Sequence, residues 1–308
     1  MIPPVLSIVI ANYNYGRFLD AAIMSVVEQV GFDKCELIVV DGGSTDTSVA
    51  IIKKYARGLP PNTNYYDWIN SSDHNPTIAP LITWWCSEKD GGQSEAFNKG
   101  FAHSRGRFGC WLNADDLLAT GALKAVINYI ESHHGAEWIG GSSVFVDGGL
   151  NVKWCSRCVR TPWIGVKNVP YYAVNGPSSF FLIDNLKKAG GFDQSLRYTM
   201  DTDLWRRFVA EGIRLNFVKD YIWIFRIHEK SKTSHRFMIG KSISAFAAEN
   251  AECNRRYGIS SFCGRLGCRI NQLLRFVSGT YLVSWWDTVR SKGRPYSVLF
   301  SEECKCKS

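Results

Sequence analysis

A repeated change of hydrophobic period near the start constrains this chain most. VLSIVIANYN (5–14) is a short apolar, β-branched run, as a strand buried on both faces requires. Residues 17–30 then place Phe18, Ala21, Ala22 and Val26 at helical spacing. CELIVVDGG (35–43) repeats the strand, and Ser44, Thr45 and Asp46 open a helix that runs to about Arg57. Their short polar side chains suit the capping of free backbone N–H groups. Strand–helix–strand–helix with short links predicts right-handed βαβ units around a parallel sheet.

The alternation pauses at 58–80, a stretch rich in Pro, Asn and Ser that reads as a long loop or surface insertion. Strands are expected over 81–90, 108–116, 138–146, 178–183 and 214–228. Helices are expected over 93–103, 120–133, 184–193 and 201–211, with 147–176 irregular. From about Met238 the chain turns helical and basic. The expected division is a catalytic domain over 1–237 and a basic amphipathic helical extension over 238–308.

The net charge of +8 is concentrated in that extension. Residues 254–308 hold ten Lys/Arg against three acids, +7, which leaves +1 for the rest. Apolar residues such as Leu266, Leu273, Phe276, Trp285 and Trp286 are interleaved with the cations. Two readings stand open: helices lying on an anionic membrane surface, or a cap packed on the catalytic domain with its cations in water. No nucleic-acid-binding module is recognisable. The start reads directly as a strand rather than as a secretory leader, and no stretch reaches the roughly 18–20 apolar residues of a spanning helix. The ten cysteines are therefore read as reduced thiols, Cys155 and Cys158 included, and the expected location is cytoplasmic, peripheral on the inner face of the membrane.

Ligands of open α/β sheets gather beyond the carboxyl ends of the strands. Asp41 ends the second strand, Asp90 follows the strand containing Trp84 and Trp85, and Asp115 and Asp116 follow Trp-Leu-Asn. Each aspartate also suits a turn or a cap, Asp46 most of all. The ordered series SIVIANYN, VVDGGSTD, SEKDGGQSEAFNKGF, WLNADD, YTMDTDLWRRF and FRIHEKSKT resembles the family 2 glycosyltransferases, over residues 5–235. The resemblance implies a GT-A-type, Rossmann-like α/β fold: a mixed, mainly parallel sheet flanked by helices. It implies inverting transfer of a sugar from a nucleotide-diphosphate donor to a glycan or lipid-linked glycan, as in surface polysaccharide biosynthesis.

Roles follow by position. Ala11, Asn12 and Tyr13 would line the nucleotide pocket, and Asp41 would read the base. Asp90 and Gln93 would approach nucleotide and sugar, beside glycines that permit close backbone approach. Asn113 and Asp115 match the D-x-D region, where carboxylate oxygens suit Mn²⁺ or Mg²⁺ on a diphosphate. Asp115 is the first candidate ligand, with Asp116 and His228 beside it. Asp201 would be the general base that takes the acceptor hydroxyl's proton. Asp203, Lys99, Arg226 and Lys232 are supporting candidates, the cations for the diphosphate. Asn113 and Met200 stand where relatives often carry acids. Those departures keep a second reading, a non-catalytic nucleotide-sugar- or glycan-binding protein on the same fold.

Overall fold

The computed structural model describes residues 3–29, 34–69, 79–160, 174, 176–231 and 244–301. In chain order the elements are β1 (Leu6–Asn12), α1 (Gly16–Val27), β2 (Cys35–Asp41), α2 (Ser48–Ala56), the single turn α3 (Tyr65–Trp68), β3 (Trp84–Ser87), α4 (Gln93–Ala102), β4 (Phe108–Asn113) and the two-residue β5 (Leu117–Leu118). Then come α5 (Ala122–Ser132), β6 (Trp138–Val146), β7 (Val152–Ser156), β8 (Ser179–Leu182), α6 (Ile183–Lys188), α7 (Met200–Ala210), β9 (Leu215–Arg226), α8 (Ser244–Arg256), α9 (Ser261–Val277) and α10 (Thr280–Ser291). The chain forms two compact units, one of residues 1–118 with 180–197, the other of 119–179 with 198–308. The expected boundary at 237/238 falls among residues 232–243, outside the described ones.

In the first unit β3, β2, β1 and β4 lie side by side, all parallel. β8 adds an antiparallel pairing, Phe108 opposite Leu182. The alternation predicted parallel pairing, and the mixed, mainly parallel sheet that the family resemblance implied is what forms. The apolar runs of β1 and β2 are buried along their length, because helices cover the sheet. α4 crosses β1 so closely that a Cβ on Gly100 would lie 2.2 Å from Val9 Cγ1. An aromatic cluster fills the space behind β4: Phe192 stands 5.3 Å from Trp111 and 5.6 Å from Phe97, centroid to centroid. Burying each such ring contributes about 1.5–3 kcal/mol. Gly191 delivers Phe192 there with φ at +79°, and Asn98 brackets the turn by accepting from Phe192 N at 2.7 Å and donating to its carbonyl at 2.8 Å. The Gly190–Asp193 turn is thus a packing joint of the first unit.

In the second unit β6 runs antiparallel to β7 and parallel to β9. All nine residues of β6 are buried, so the glycines and serines in WIGGSSVFV matter for space. A Cβ on Gly141 would lie 2.2 Å from Ile222 Cγ1 of β9. β7 lies within the stretch expected to be irregular. Its five residues carry little period of their own, and β6 supplies the hydrogen-bonding edge that makes them a strand. β5 and α3 were likewise not expected, since neither is long enough to show a period.

Candidate active site

Strand register builds the polar edge of the first unit. Asn12 pairs with Asp41, Asp41 with Ser87, and Ala11 with Asn113, so the carboxyl ends of all four parallel strands finish level. Asp41 is fully buried. Its Oδ1 accepts from Asn12 Nδ2 at 2.6 Å and Ser44 Oγ at 2.5 Å, and its Oδ2 from Ser44 N at 2.9 Å and Ser87 Oγ at 2.6 Å. This carboxylate therefore fastens the ends of β1, β2 and β3 together. Contact with a nucleotide base would require one of these bonds to be given up. Asn12 Oδ1 is buried with no hydrogen-bond partner among the described residues, which leaves an acceptor beside the knot. Tyr13, 59% exposed, is the open side chain of this corner.

The loops after β1 and β2 are laced together. Asn14, in the left-handed region at φ +55°, takes Thr45 N on its Oδ1 and donates its own N–H to Ser44 Oγ. Asp46 accepts from Gly16 N at 2.8 Å and Ser48 N at 2.9 Å, holding the starts of α1 and α2, as its capping reading anticipated.

Asp90 lies half-buried against Gly42, where a Cβ would come within 2.9 Å of its Oδ2. Burial pushes its carboxyl above the usual carboxylate range, against a hydrogen bond from Gly92 N. Gln93 donates to Asn113 Oδ1 at 2.5 Å, and Asn113 Nδ2 donates to Asp116 Oδ2 at 2.9 Å. That chain pins Asp116, which is buried, and leaves Asp115 the half-exposed member of the pair. Lys99, expected at a phosphate, is held by Glu88 at 2.7 Å.

Tyr15, which the sequence reading passed over, belongs here. Burial pushes its phenol up to about 12, with the Asp115 and then the Asp116 charges adding. Its signal was topological: it is the N-cap residue of α1, three residues beyond the end of β1.

The second unit carries the remaining candidates. Asp201 sits in the first turn of α7 and is half-buried. Burial pushes its carboxyl up to about 6, despite hydrogen bonds from Thr202, and the Glu249 charge adds to the rise. Glu249 of α8 accepts from Tyr198 N, Thr199 N and Thr199 Oγ1 at 2.7, 2.6 and 2.8 Å, so a side chain 48 residues downstream caps the helix that carries Asp201. No local capping signal pointed to it. Asp203 is buried and receives Arg207 at 2.7 Å, Arg256 at 3.4 Å and Tyr257 Oη at 2.7 Å, a structural hub between α7 and α8. Arg226, at the end of β9, and His228, just beyond it, are both buried. Lys232 lies outside the described residues.

Asp115 and Asp116 offer the hard oxygens a divalent ion prefers, but no group of three or more His, Cys, Asp or Glu among the described residues could hold a metal. That donor set suits Mg²⁺ or Mn²⁺ shared with substrate phosphates, which needs only one or two protein carboxylates.

The model of glycosyl transferase family 2 matches residues 7–72 and 84–181. The minor teichoic acid biosynthesis protein GgaB of Bacillus subtilis is 26% identical over 235 residues, covering 74% of this chain and 23% of GgaB. This chain thus spans about a quarter of that relative's length. Staphylococcus aureus TarS, solved with UDP-GlcNAc, superposes with a TM-score of 0.59 at 17% identity, over 86% of this chain and 70% of that one. The mannosyltransferase PcManGT of Pyrobaculum calidifontis, solved with GDP-Man and Mn²⁺, superposes with a TM-score of 0.54 at 15% identity, over 99% of this chain and 83% of that one.

Proposed function

The chain belongs to glycosyl transferase family 2, and from that premise we propose an inverting, metal-dependent transferase that moves a sugar from a nucleotide diphosphate to a glycan or lipid-linked glycan. The observation that carries this reading is the level polar edge of Asn12, Asp41, Ser87 and Asn113, with Asp115 left half-open beside it. Asn12 and Tyr13 offer an acceptor and a ring to the base, and Asp41 keeps them in register. Asp90, Gln93 and Asn113 face ribose and sugar. A divalent cation on Asp115, with Asp116 and His228 in support, would neutralise charge developing on the leaving diphosphate. Arg226 and Lys232 are the cations proposed to assist.

Asp201 takes the proton of the attacking hydroxyl. A carboxyl held near 6 remains ionised at neutral pH yet is a stronger base than an ordinary aspartate, as general-base catalysis asks. GgaB's description as a teichoic acid biosynthesis protein supports an acceptor of the surface-polysaccharide kind. Residues 254–308 would meet the anionic membrane surface that carries such an acceptor, and the catalytic part would end near residue 237.

The test is donor binding and hydrolysis with UDP-, GDP- and dTDP-sugars, with Mn²⁺, Mg²⁺ or EDTA. One metal-dependent nucleotide diphosphate released, and lost in Asp201→Asn while donor still binds, is the expected result. Binding without turnover, even with glycan-lipid extract supplied, would favour the binding-protein reading. Failure to bind any donor would sink the nucleotide-sugar assignment.

A further inference from the structure

The two long C-terminal helices are amphipathic in the inverted sense. α10 buries Ser284, Asp287 and Ser291 and exposes Leu282, Trp285 and Trp286, the two tryptophans at 61% and 56%. Its inward face is polar because polar groups meet it there. Asp287 takes Arg157 Nε at 2.8 Å, Tyr221 Oη at 2.6 Å and Arg290 at 2.7 Å. Thr288 Oγ1 takes Cys155 N of β7 at 2.8 Å, and Ser284 Oγ takes Arg157 N at 3.0 Å. α9 repeats the arrangement: Asn271 is buried while Leu273, Phe276 and Val277 stand in solvent. Among the described residues every exposed large apolar side chain except Tyr13 lies on these two helices.

Apolar surface gathered in this way marks a contact face. Its charge indicates what the contact is. The segment 254–308 carries +7, and Arg265, Arg269, Lys292 and Arg294 are exposed. A second copy would bring like charge against like. An anionic lipid surface accepts both features, with the rings at the headgroup–acyl boundary and the cations on the phosphates. No described helix is long and apolar enough to cross a membrane, so the helices would lie in its plane.

We propose that the outward face of α9 and α10 is an interfacial docking surface for an anionic lipid bilayer, seated by Phe276, Trp285 and Trp286 and steered by Arg265 and Arg269. It deepens the reading of a transferase with a lipid-linked acceptor, but the binding itself does not depend on that chemistry.

The test is flotation of the full chain with phosphatidylcholine vesicles, with and without phosphatidylglycerol. Wild type is expected to float with the anionic vesicles only. The combined change Phe276→Ser, Trp285→Ser and Trp286→Ser should weaken binding about tenfold or more, as should Arg265→Gln with Arg269→Gln. All these side chains are exposed, so circular dichroism and melting should match wild type. Absent flotation, or flotation unaltered by either set, overturns the proposal. So does a concentration-dependent dimer that the triple change abolishes, because the face would then belong to a second copy. Donor hydrolysis in vesicle-free solution separates the two readings. Flotation without any donor turnover in wild type counts against the transferase chemistry alone, and turnover without flotation counts against the surface alone.

Discussion

At the scale of the residue, burial separates the members of two aspartate pairs, Asp115 from Asp116 and Asp201 from Asp203. Asp116 is pinned by Asn113 and Asp115 is half-open, so Asp115→Asn should cost about 10²–10³ in metal-dependent turnover with little loss of stability, measured by donor hydrolysis and a thermal melt. The second pair is Asp201 and Asp203. Asp201→Asn should cost about 10²–10⁴ in kcat while donor binding persists. With the carboxyl pushed up to about 6, the base is protonated below that pH, so kcat/KM should fall on the acid side of about pH 6. The same shift has a stability consequence. The folded pKa lies above the unfolded one, so ionised Asp201 costs stability at pH values above about 6, and that cost vanishes below the unfolded pKa. Asp201→Asn should therefore raise the melting temperature at pH 8, by about 2 kcal/mol in free energy, and the gain should fade towards pH 4.

At the scale of the element, α7 is held at two points by α8. Glu249 caps its N-terminus and Asp203 ties it to Arg256 and Tyr257. Glu249→Gln removes a negative charge close to Asp201, so the acid limb of the pH profile should move to lower pH. A merely structural contact would not move it. Asp203→Ala should be the more destabilising change, about 2–4 kcal/mol by denaturant melt, because it removes the buried carboxylate that Arg207, Arg256 and Tyr257 share. The joint between α4 and the Gly190–Asp193 turn fails differently. Gly191→Ala places a Cβ at positive φ and 2.6 Å from Asn98 Oδ1, an expected loss of about 1–3 kcal/mol.

At the scale of the whole molecule, a donor that binds only the folded chain should raise its melting temperature, by about 2.7 kcal/mol in free energy at a hundredfold excess over Kd, and EDTA should abolish the shift. Much of the fold was legible beforehand. β6 appears over 138–146 as expected, and α7 and β9 lie within a residue or two of their expected bounds, because long apolar periods dictate element type. The acids at strand ends were legible for the same reason, since a parallel sheet delivers its carboxyl ends to one edge. What could not be read was which of the charged candidates already has partners within the protein. Asp41, Lys99 and Asp203 look like ligand contacts in a one-dimensional series, and only distant partners such as Ser87, Glu88 and Arg256 show them engaged. The direction of the C-terminal helices was equally hidden. A helical period reports that one face is apolar, but it does not say which face the rest of the chain will meet. Here the polar face is the inward one, because Arg157 and Tyr221 wait for it across the second unit. By itself, then, the sequence determined the α/β class, the strand-end acids and the family, which depend on local period and order. Tertiary structure alone decided which charges are neutralised inside and which apolar side chains are left outside, because both depend on groups far apart in the chain.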